Sequence, residues 1–401
     1  VDTLDRRPYP RTYYPRLLGT YDLTATDEDR DVSVSAPIKL NAYDSYHTWD
    51  EIKPAIDKII NKTLPNRYIE YKSLGKSVEG RDTHFVILAE SKAAVDKYLN
   101  EILPMALENP AELQRKIDNK ELLDYKIPIW FNNIHPDEAP GTDAILGLLE
   151  LLATKNHVEY EDIDINENKQ EKPQTKTTVR LSVPELLDNF IFLFNFTVNP
   201  DGRYYNTRTN VNGFDINRDC SFQTQPEAIN TIKGIVEWKP LTFLDFHGHV
   251  KKFLIEPTTP PHDPNYEYDL LVRNMLRQAY AMGRAGIGST RYSSFIIPRE
   301  DYESGWDDGS PVYTPMYAMH HGALGHTIEI PDINEHSYNA LIACGLAAAK
   351  FALDNKDELY INQLEIFRRG IENIDAKELV DKEFVDGHGN VVGRPRGEYD
   401  N

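Results

Sequence analysis

Residues 127–138 read Ile-Pro-Ile-Trp-Phe-Asn-Asn-Ile-His-Pro-Asp-Glu, an apolar run that ends in a polar turn. Such a run is typical of a strand that is buried on both faces, as in a parallel sheet. His135 and Glu138 follow where the strand ends, and an imidazole and a carboxylate three residues apart can reach one metal ion. Zinc binds both ligand types, and catalytic zinc commonly has three protein ligands and an open position for water. The stretch therefore predicts a buried strand that leads into either a plain polar turn or a zinc site, and a zinc site would need another histidine from elsewhere in the chain.

Apolar strands alternate with helical patterns along the rest of the chain. The strands are predicted at 127–134, 190–198, 241–246 and 326–330, and the helices between and after them at 142–154, 226–238 and 267–284 and from about 337 onward. This alternation predicts an α/β fold with a mixed, mostly parallel central sheet and helices on both faces. Sites in such sheets lie beyond the carboxyl ends of the strands. His135, His247 and Glu329 all lie at or near predicted strand ends.

Composition limits the classes of partner. The chain has 401 residues, of which 40% are hydrophobic, and a net charge of −20. That charge argues against a nucleic acid or an anionic membrane as partner, and no apolar run has the length of a membrane span. Because the chain starts at Val1 rather than Met, we expect a removed leader and a secreted or extracellular protein, with a cytoplasmic location left open.

Six short motifs occur in a fixed order along the chain. They are Glu79-Gly80-Arg81, His135-x-x-Glu138, Asn199-Pro200-Asp201-Gly202, Arg208-x-Asn210 leading to Gly213-Phe214-Asp215-Ile216-Asn217-Arg218, Asp245-x-His247 and Thr327-x-Glu329. With these motifs, over roughly residues 45–350, the chain resembles the zinc metallocarboxypeptidase family of the pancreatic carboxypeptidases and their bacterial relatives. The resemblance implies that family's fold, one zinc ion per chain, and hydrolysis of the C-terminal peptide bond.

The resemblance also implies the metal ligands. By likeness, His135, Glu138 and His247 would hold the zinc ion, and His249 is the alternative third ligand. Asp215 matches a carboxylate that orients a ligating imidazole. A turn-capping role for Asp215 is the alternative.

Further residues match the family's catalytic and substrate-binding groups. Glu329 matches the general base that takes a proton from the zinc-bound water, and Arg208 matches the arginine that stabilises the oxyanion. Asn217 and Arg218 match the pair that binds the substrate's terminal carboxylate, for which a guanidinium fork is suited. Arg81 resembles a more distant substrate-binding arginine, with a salt bridge at a strand end as the alternative.

The segment before Glu329 departs from the family pattern. The family has a mobile tyrosine about twenty residues before its catalytic glutamate. Tyr302 fits this position best by count, and Tyr313 is the second choice. Pro311 and Val312 stand where the family partly sets its specificity pocket. Neither is a carboxylate, so a strong preference for C-terminal Lys or Arg is not supported, and an apolar or aromatic preference stays open.

These patterns predict three regions: an extended N-terminal arm at 1–45 that lies on the main body, a single catalytic domain at 46–375, and a C-terminal tail at 376–401. The expected partner is a peptide or muropeptide with a free C-terminal carboxylate, and the oligomeric state is not predicted. Two other functions stay open on the same fold. One is cleavage of the γ-D-glutamyl–diamino acid bond in peptidoglycan stems, and the other is an inactive relative that serves as a binding module.

Overall fold

The structure is a computed structural model that describes residues 18–163, 175–248, 252–257, 267–297 and 310–374, together with two short strands near the C-terminus. Its strands are β1 Gly19–Asp27, β2 Val32–Leu40, β3 Tyr68–Lys76, β4 Asp82–Ala89, β5 Ile127–Asn132, β6 His157–Ile163, β7 Lys176–Ser182, β8 Phe190–Asn195, β9 Thr242–Gly248, β10 Leu254–Pro257, β11 Leu324–Ile330, β12 Phe384–Val385 and β13 Val391–Gly393. Its α-helices are α1 Trp49–Ile60, α2 Lys92–Lys97, α3 Leu103–Glu108, α4 Pro110–Asp118, α5 Pro140–Thr154, α6 Val183–Asn189, α7 Pro200–Tyr205, α8 Pro226–Trp238, α9 Tyr268–Gly288, α10 Thr314–Met319, α11 Glu335–Asp354 and α12 Lys356–Glu372.

A seven-stranded sheet forms the centre of the molecule, in the order β10-β11-β9-β5-β8-β4-β3. The four strands β11, β9, β5 and β8 are parallel to one another. The outer strands β10, β4 and β3 are antiparallel to their neighbours. The predicted mixed, mostly parallel sheet is therefore confirmed.

The apolar sequence of the central strands explains their burial. Every residue of β5 and β8 is buried, and the ring of Phe131 stacks on those of Phe192 and Phe194 on the neighbouring strand. Burying one such aromatic side chain contributes about 1.5–3 kcal/mol to stability. The sheet is thus a rigid platform for the loops that follow its strands.

Helix α5 packs closely against the end of this platform. A Cβ added at Gly141, in its first turn, would lie 2.4 Å from Nδ2 of Asn133 and 3.1 Å from the carbonyl oxygen of Phe246. No side chain fits at that distance, so glycine is required where the helix crosses the ends of β5 and β9. The same turn of chain carries Glu138, so this close approach holds the region of the predicted zinc site.

The N-terminal region differs from the predicted arm. Residues Gly19–Asp27 and Val32–Leu40 form an antiparallel hairpin instead of an irregular extension, and every residue of both strands is exposed. Contact with the main body begins after the hairpin, where Tyr43 is buried and its hydroxyl donates to the carbonyl oxygen of Pro136 at 2.8 Å. The prediction that this region lies on the body therefore holds for the residues after the hairpin and was wrong for the hairpin.

Near the C-terminus, α12 ends at Glu372, close to the predicted boundary of the main domain. In the predicted tail, β12 and β13 pair with each other in an antiparallel ladder. None of the described helices is both long and apolar enough to cross a membrane.

Candidate metal centre and active site

The carboxyl ends of β5, β9 and β11 bring the predicted site residues to one edge of the sheet. His247 in β9 and Glu329 in β11 are register partners on adjacent parallel strands, so their side chains extend from the same face. His135 and Glu138 lie in the turn that follows β5, the next strand along. Nδ1 of His247 lies 4.0 Å from Oε1 of Glu329.

His135, Glu138 and His247 form a compact buried group. One ligand atom from each lies within 4.8 Å of the others. Nδ1 of His135 is 3.0 Å from Oε1 of Glu138, and Nδ1 of His247 is 3.3 Å from Oε2 of the same carboxylate. The two imidazole planes meet at 90°. Both histidines therefore present the same ring nitrogen to one carboxylate.

This group fits a zinc ion. With zinc–ligand distances near 2.0–2.2 Å, the ligand atoms of a tetrahedral site lie about 3.3 Å apart, which is close to the two separations observed. Oε2 of Glu138 is buried and accepts no hydrogen bond from the described residues. Burial and the nearby Glu329 carboxylate raise the pKa of Glu138 well above its usual value. A buried carboxylate in this position is costly unless a cation compensates its charge, and a divalent ion would do so.

Asp215 and Arg208 hold the His135 side of the group. Oδ1 of Asp215 lies 3.0 Å from Nε2 of His135, the ring nitrogen that faces away from Glu138. Nε of Arg208 donates to Oδ2 of Asp215 at 3.0 Å, and Nη1 donates to Oε1 of Glu138 at 3.1 Å. Burial opposes the charge on Asp215, but His135 and Arg208 outweigh it and hold the pKa of that carboxyl well below its usual range. An anionic Asp215 fixes the orientation of the imidazole.

The pKa of His135 favours metal binding. Burial, together with the positive charge of Arg208, lowers the pKa of His135 to about 4. The imidazole is therefore neutral near pH 7, which is the form that binds a metal ion.

Asp245 lies close to the ring of His247. Its Oδ2 lies 3.0 Å from Nε2 of His247, two residues along β9. Oδ1 of Asp245 accepts from Nδ2 of Asn132 at 2.9 Å, and Oδ1 of Asn132 accepts from Nδ2 of Asn195 at 2.9 Å. These three residues are register partners on β9, β5 and β8, so they form a polar row across the buried sheet. Burial alone would lower the pKa of His247, but the Asp245 carboxylate outweighs it and raises the pKa.

Asn217 and Arg218 lie in a single 3₁₀ turn at Ile216–Arg218, whose N-cap is Asp215. The side-chain oxygen of Asp215 accepts from the backbone N–H of Asn217 at 3.0 Å. One carboxylate therefore contacts both the ligand His135 and the turn of the predicted carboxylate clamp. The guanidinium of Arg218 lies over the ring of Tyr313, 4.5 Å from its centroid.

The structure gives Arg81 strong local contacts. Its Nη1 donates to Oδ1 of Asp201 at 2.7 Å and pairs with Glu79, and its guanidinium stacks over the ring of Tyr204 at 3.9 Å. These contacts correspond to the salt-bridge alternative, and a substrate contact for Arg81 stays a prediction. Tyr302 and His249 lie outside the described residues.

A buried arginine supports the turn that carries Glu138. Arg203 is fully buried, and its Nη1 donates to the carbonyl oxygens of Pro136 and Ala139 at 3.2 and 3.3 Å. Its Nη2 donates to Asp143, and its guanidinium lies 4.2 Å from the ring centroid of Tyr43. Tyr43 and Arg203 therefore bind the same carbonyl oxygen, that of Pro136, between the two metal ligands of this turn.

Sequence reasoning missed several of these supporting residues. It noted Asp245 only as part of a motif, and it gave no role to Asn132, Arg203 or Tyr43. It also passed over Glu256, a buried carboxylate whose register partner is Thr327, on the sheet face that carries Glu329. The signal in the sequence was a carboxylate at the end of the apolar run Phe253–Ile255.

Comparison with known proteins agrees with this site. Residues 58–248 match the family model of the zinc carboxypeptidases, a range that contains the three candidate ligands and ends before Glu329. No curated protein matches the chain.

Solved structures of metallocarboxypeptidases resemble the chain in fold. The enzyme from Pseudomonas aeruginosa, in complex with (2-guanidinoethylmercapto)succinic acid, aligns with a TM-score of 0.50 at 16% identity and covers 84% of this chain and 78% of that one. A metallocarboxypeptidase from Burkholderia cenocepacia aligns with a TM-score of 0.49 at 14% identity, covering 84% and 77%. Carboxypeptidase A from Helicoverpa armigera gives 0.48 at 15% identity, covering 78% and 75%.

The family match and the buried His135, Glu138 and His247 group lead to one conclusion. The chain matches the zinc carboxypeptidase family over residues 58–248, and it is a zinc metallopeptidase.

Proposed function

We propose that the protein hydrolyses the C-terminal peptide bond of peptides, with Glu329 as the general base. The observation that carries the proposal is the convergence of three metal ligands and a separate carboxylate at one sheet edge, with Nδ1 of His247 4.0 Å from Oε1 of Glu329. A bound zinc ion would acidify its water and polarise the scissile carbonyl group. The remaining steps depend on the side chains around it.

Asn217 and Arg218 would bind the terminal carboxylate of the substrate. A guanidinium and an amide on adjacent residues can donate several hydrogen bonds to one carboxylate. Asp215 accepts a hydrogen bond from the backbone N–H of Asn217 in this turn and also contacts His135. Asp215, which is half-buried, therefore links the carboxylate site to the metal site, and this favours a fixed distance between the clamp and the bond that is cut.

Glu329 would carry the proton. Its carboxylate accepts a proton from the attacking water, the hydroxide oxygen bonds to the carbonyl carbon, and the same carboxylate then delivers that proton to the amine as the C–N bond breaks. The products are a shortened peptide with a new carboxylate and a free amino acid. Because Glu329 extends from β11 beside His247 of β9, a rigid pair of strands holds the base next to the metal ligand.

Arg208 would stabilise the negative charge on the carbonyl oxygen in the transition state. Its side chain is 31% exposed, whereas Glu138 beside it is buried, so the guanidinium borders the open side of the site. Hydrogen bonds from Nε to Asp215 and from Nη1 to Glu138 fix its orientation. A preorganised positive charge of this kind typically contributes about 10²–10³-fold to turnover.

The proposal is tested with matched peptides. The zinc-loaded protein is incubated with a panel of N-blocked dipeptides and with the same panel carrying a C-terminal amide. We expect release of the C-terminal residue from the free acids and little or none from the amides, because only the former can bind Asn217 and Arg218. Equal cleavage of both sets, or internal cleavage of longer peptides, would overturn the exopeptidase assignment.

A further arm of the same assay uses purified muropeptides. Turnover of muropeptides with none of any blocked dipeptide would mean that the scissile bond is the γ-D-glutamyl–diamino acid bond instead. One zinc ion per chain with no turnover of either substrate class would indicate a binding module.

A further inference from the structure

Thr314 contacts both parts of the site at once. Its backbone N–H donates to Oδ1 of Asn217 at 2.9 Å, and its hydroxyl lies 3.3 Å from the same oxygen. The hydroxyl also makes a short contact with Oδ2 of Asp245, the carboxylate oxygen that lies 3.0 Å from Nε2 of His247. Thr314 itself is fully buried. A single side chain therefore lies between the predicted carboxylate clamp and a metal ligand.

The contact with Asn217 decides which end of its amide faces the substrate. A carboxamide has an accepting oxygen and a donating nitrogen, and the two can exchange places by rotation about one bond. The backbone N–H of Thr314 donates to the oxygen, so the amide nitrogen is turned away from Thr314. A substrate carboxylate needs a donor, which is the orientation that Thr314 imposes.

The contact with Asp245 extends the polar row of the sheet. The row runs from Asn195 through Asn132 to Asp245, and each step is a hydrogen bond between register partners. The Thr314 hydroxyl donates to the carboxylate of Asp245, which is the last residue of this row. Because a hydroxyl has only one hydrogen, it is shared between Asp245 and Asn217, and the backbone N–H keeps Asn217 bound in either case.

The surrounding segment strengthens this arrangement. The backbone N–H of Cys220 donates to the carbonyl oxygen of Val312 at 3.2 Å, and the guanidinium of Arg218 lies over the ring of Tyr313. Three consecutive residues, Val312 to Thr314, therefore contact residues 217–220, which include the clamp. Helix α10 starts at Thr314 and leads into β11, which carries Glu329.

We propose that Thr314 is a positioning residue that fixes the amide of Asn217 for the substrate carboxylate and supports the zinc ligand His247 through Asp245. The effect on Asn217 rests on the proposed function. The effect on zinc affinity rests only on the group formed by His135, Glu138 and His247. Thr314 does not touch the reacting atoms, so its effect is on KM and on metal affinity.

The test compares T314V with T314S. Valine has nearly the shape of threonine but no hydroxyl, whereas serine keeps the hydroxyl and loses only a methyl group. Three quantities are measured on each: kcat and KM on a blocked dipeptide that the wild type cleaves, the Kd of the released amino acid by calorimetry, and the zinc Kd by competition with a chelator. Circular dichroism checks that both variants are folded.

We expect T314V to raise KM and the amino-acid Kd by about fivefold, because the Asn217 oxygen loses its hydroxyl contact but keeps the backbone N–H, with a smaller change in kcat. Its zinc Kd should rise by about tenfold, as is typical when a partner of a metal ligand is disturbed. T314S should restore all three values to within about threefold of the wild type. In a double-mutant cycle, T314V and N217A should be non-additive in KM.

Equal behaviour of T314V and T314S in all three measurements would overturn the proposal, as would full additivity with N217A. If the wild type shows no preference for a free carboxylate, the proposed function fails instead. The zinc Kd still tests the link through Asp245 in that case, and an unchanged zinc Kd in T314V would refute it.

Discussion

The site has two halves that are built differently. The metal half consists of His135, Glu138 and His247 with the carboxylates of Asp215 and Asp245. Its three candidate ligands are buried, it rests on the central parallel strands, and it lies inside the range that matches the family model. The substrate half consists of the 216–220 turn, the segment 310–314 and Glu329. All of it except the turn lies beyond that range, in a part of the chain where residues 298–309 are not described.

The two halves differ in how firmly contacts fix their side chains. Both imidazoles of the candidate metal group have a carboxylate oxygen 3.0 Å from the nitrogen that faces away from Glu138. Such pairs fix the ring and raise its basicity, so a metal half of this kind has little freedom to change. The substrate half is joined to it through a few contacts, of which those of Asp215 and Thr314 are the clearest.

The largest expected effect is loss of the metal half. His247→Ala should remove zinc from the protein and abolish hydrolysis, since only two protein ligands remain. His249→Ala is the matched control and should keep about one zinc ion per chain. Metal analysis after dialysis checks both variants. Zinc retained in the first and lost in the second would exchange the roles of the two histidines.

Glu329→Gln tests the substrate half while leaving the metal ligands in place. The amide keeps the shape of the side chain but cannot accept the proton, so we expect kcat to fall by about 10²–10⁴-fold. Zinc content should stay at one ion per chain, because Glu329 is not a ligand. A variant with near-native kcat would refute the assignment of the base, and loss of zinc would place Glu329 in the metal half.

A smaller effect is expected when the support of His247 is weakened. Asp245→Asn keeps the shape but removes the charge that faces Nε2 of His247. The zinc Kd should rise by about 10–100-fold, and activity should recover at high zinc concentration. Chelator competition measures the Kd. A zinc Kd equal to that of the wild type would mean that Asp245 only satisfies Asn132 and Thr314.

The smallest effect tests the turn between His135 and Glu138. Tyr43→Phe removes the hydroxyl that donates to the Pro136 carbonyl oxygen and leaves the ring over Arg203. Removing one neutral hydrogen bond costs about 0.5–1.5 kcal/mol, and Arg203 still binds the same carbonyl. Thermal unfolding with and without zinc should show a modest loss of stability. A larger loss in the zinc-bound form than in the metal-free form would show that the turn is coupled to the ion.

The same division marks how far the sequence could predict the molecule. The central strands were predictable because residues such as those of 127–132 and 190–195 form apolar runs that only a sheet covered on both faces can bury. His135, Glu138 and His247 were identified by motif, since spacing and strand ends carry that signal. The structure brings these three side chains into one group and places Glu329 beside them.

What the sequence did not predict depends on contacts between distant segments. Thr314 and Asn217 are 97 residues apart, and no local pattern links them. The hairpin at Gly19–Leu40 was missed because its alternation is short and both faces are exposed, so no core fixes it. For Arg81, the local sequence is compatible with both a substrate contact and a salt bridge. The ion pair with Asp201 became visible only in the structure, because Asp201 is distant in the sequence.

The most direct test of the account is a crystal structure of the zinc-loaded protein with anomalous data collected on both sides of the zinc absorption edge. We expect one peak, present only above the edge, at about 2.0–2.2 Å from Nδ1 of His135, a carboxylate oxygen of Glu138 and Nδ1 of His247, with Glu329 beside the open coordination position. The absence of a peak among these three side chains, or a peak held by other residues, would contradict the account.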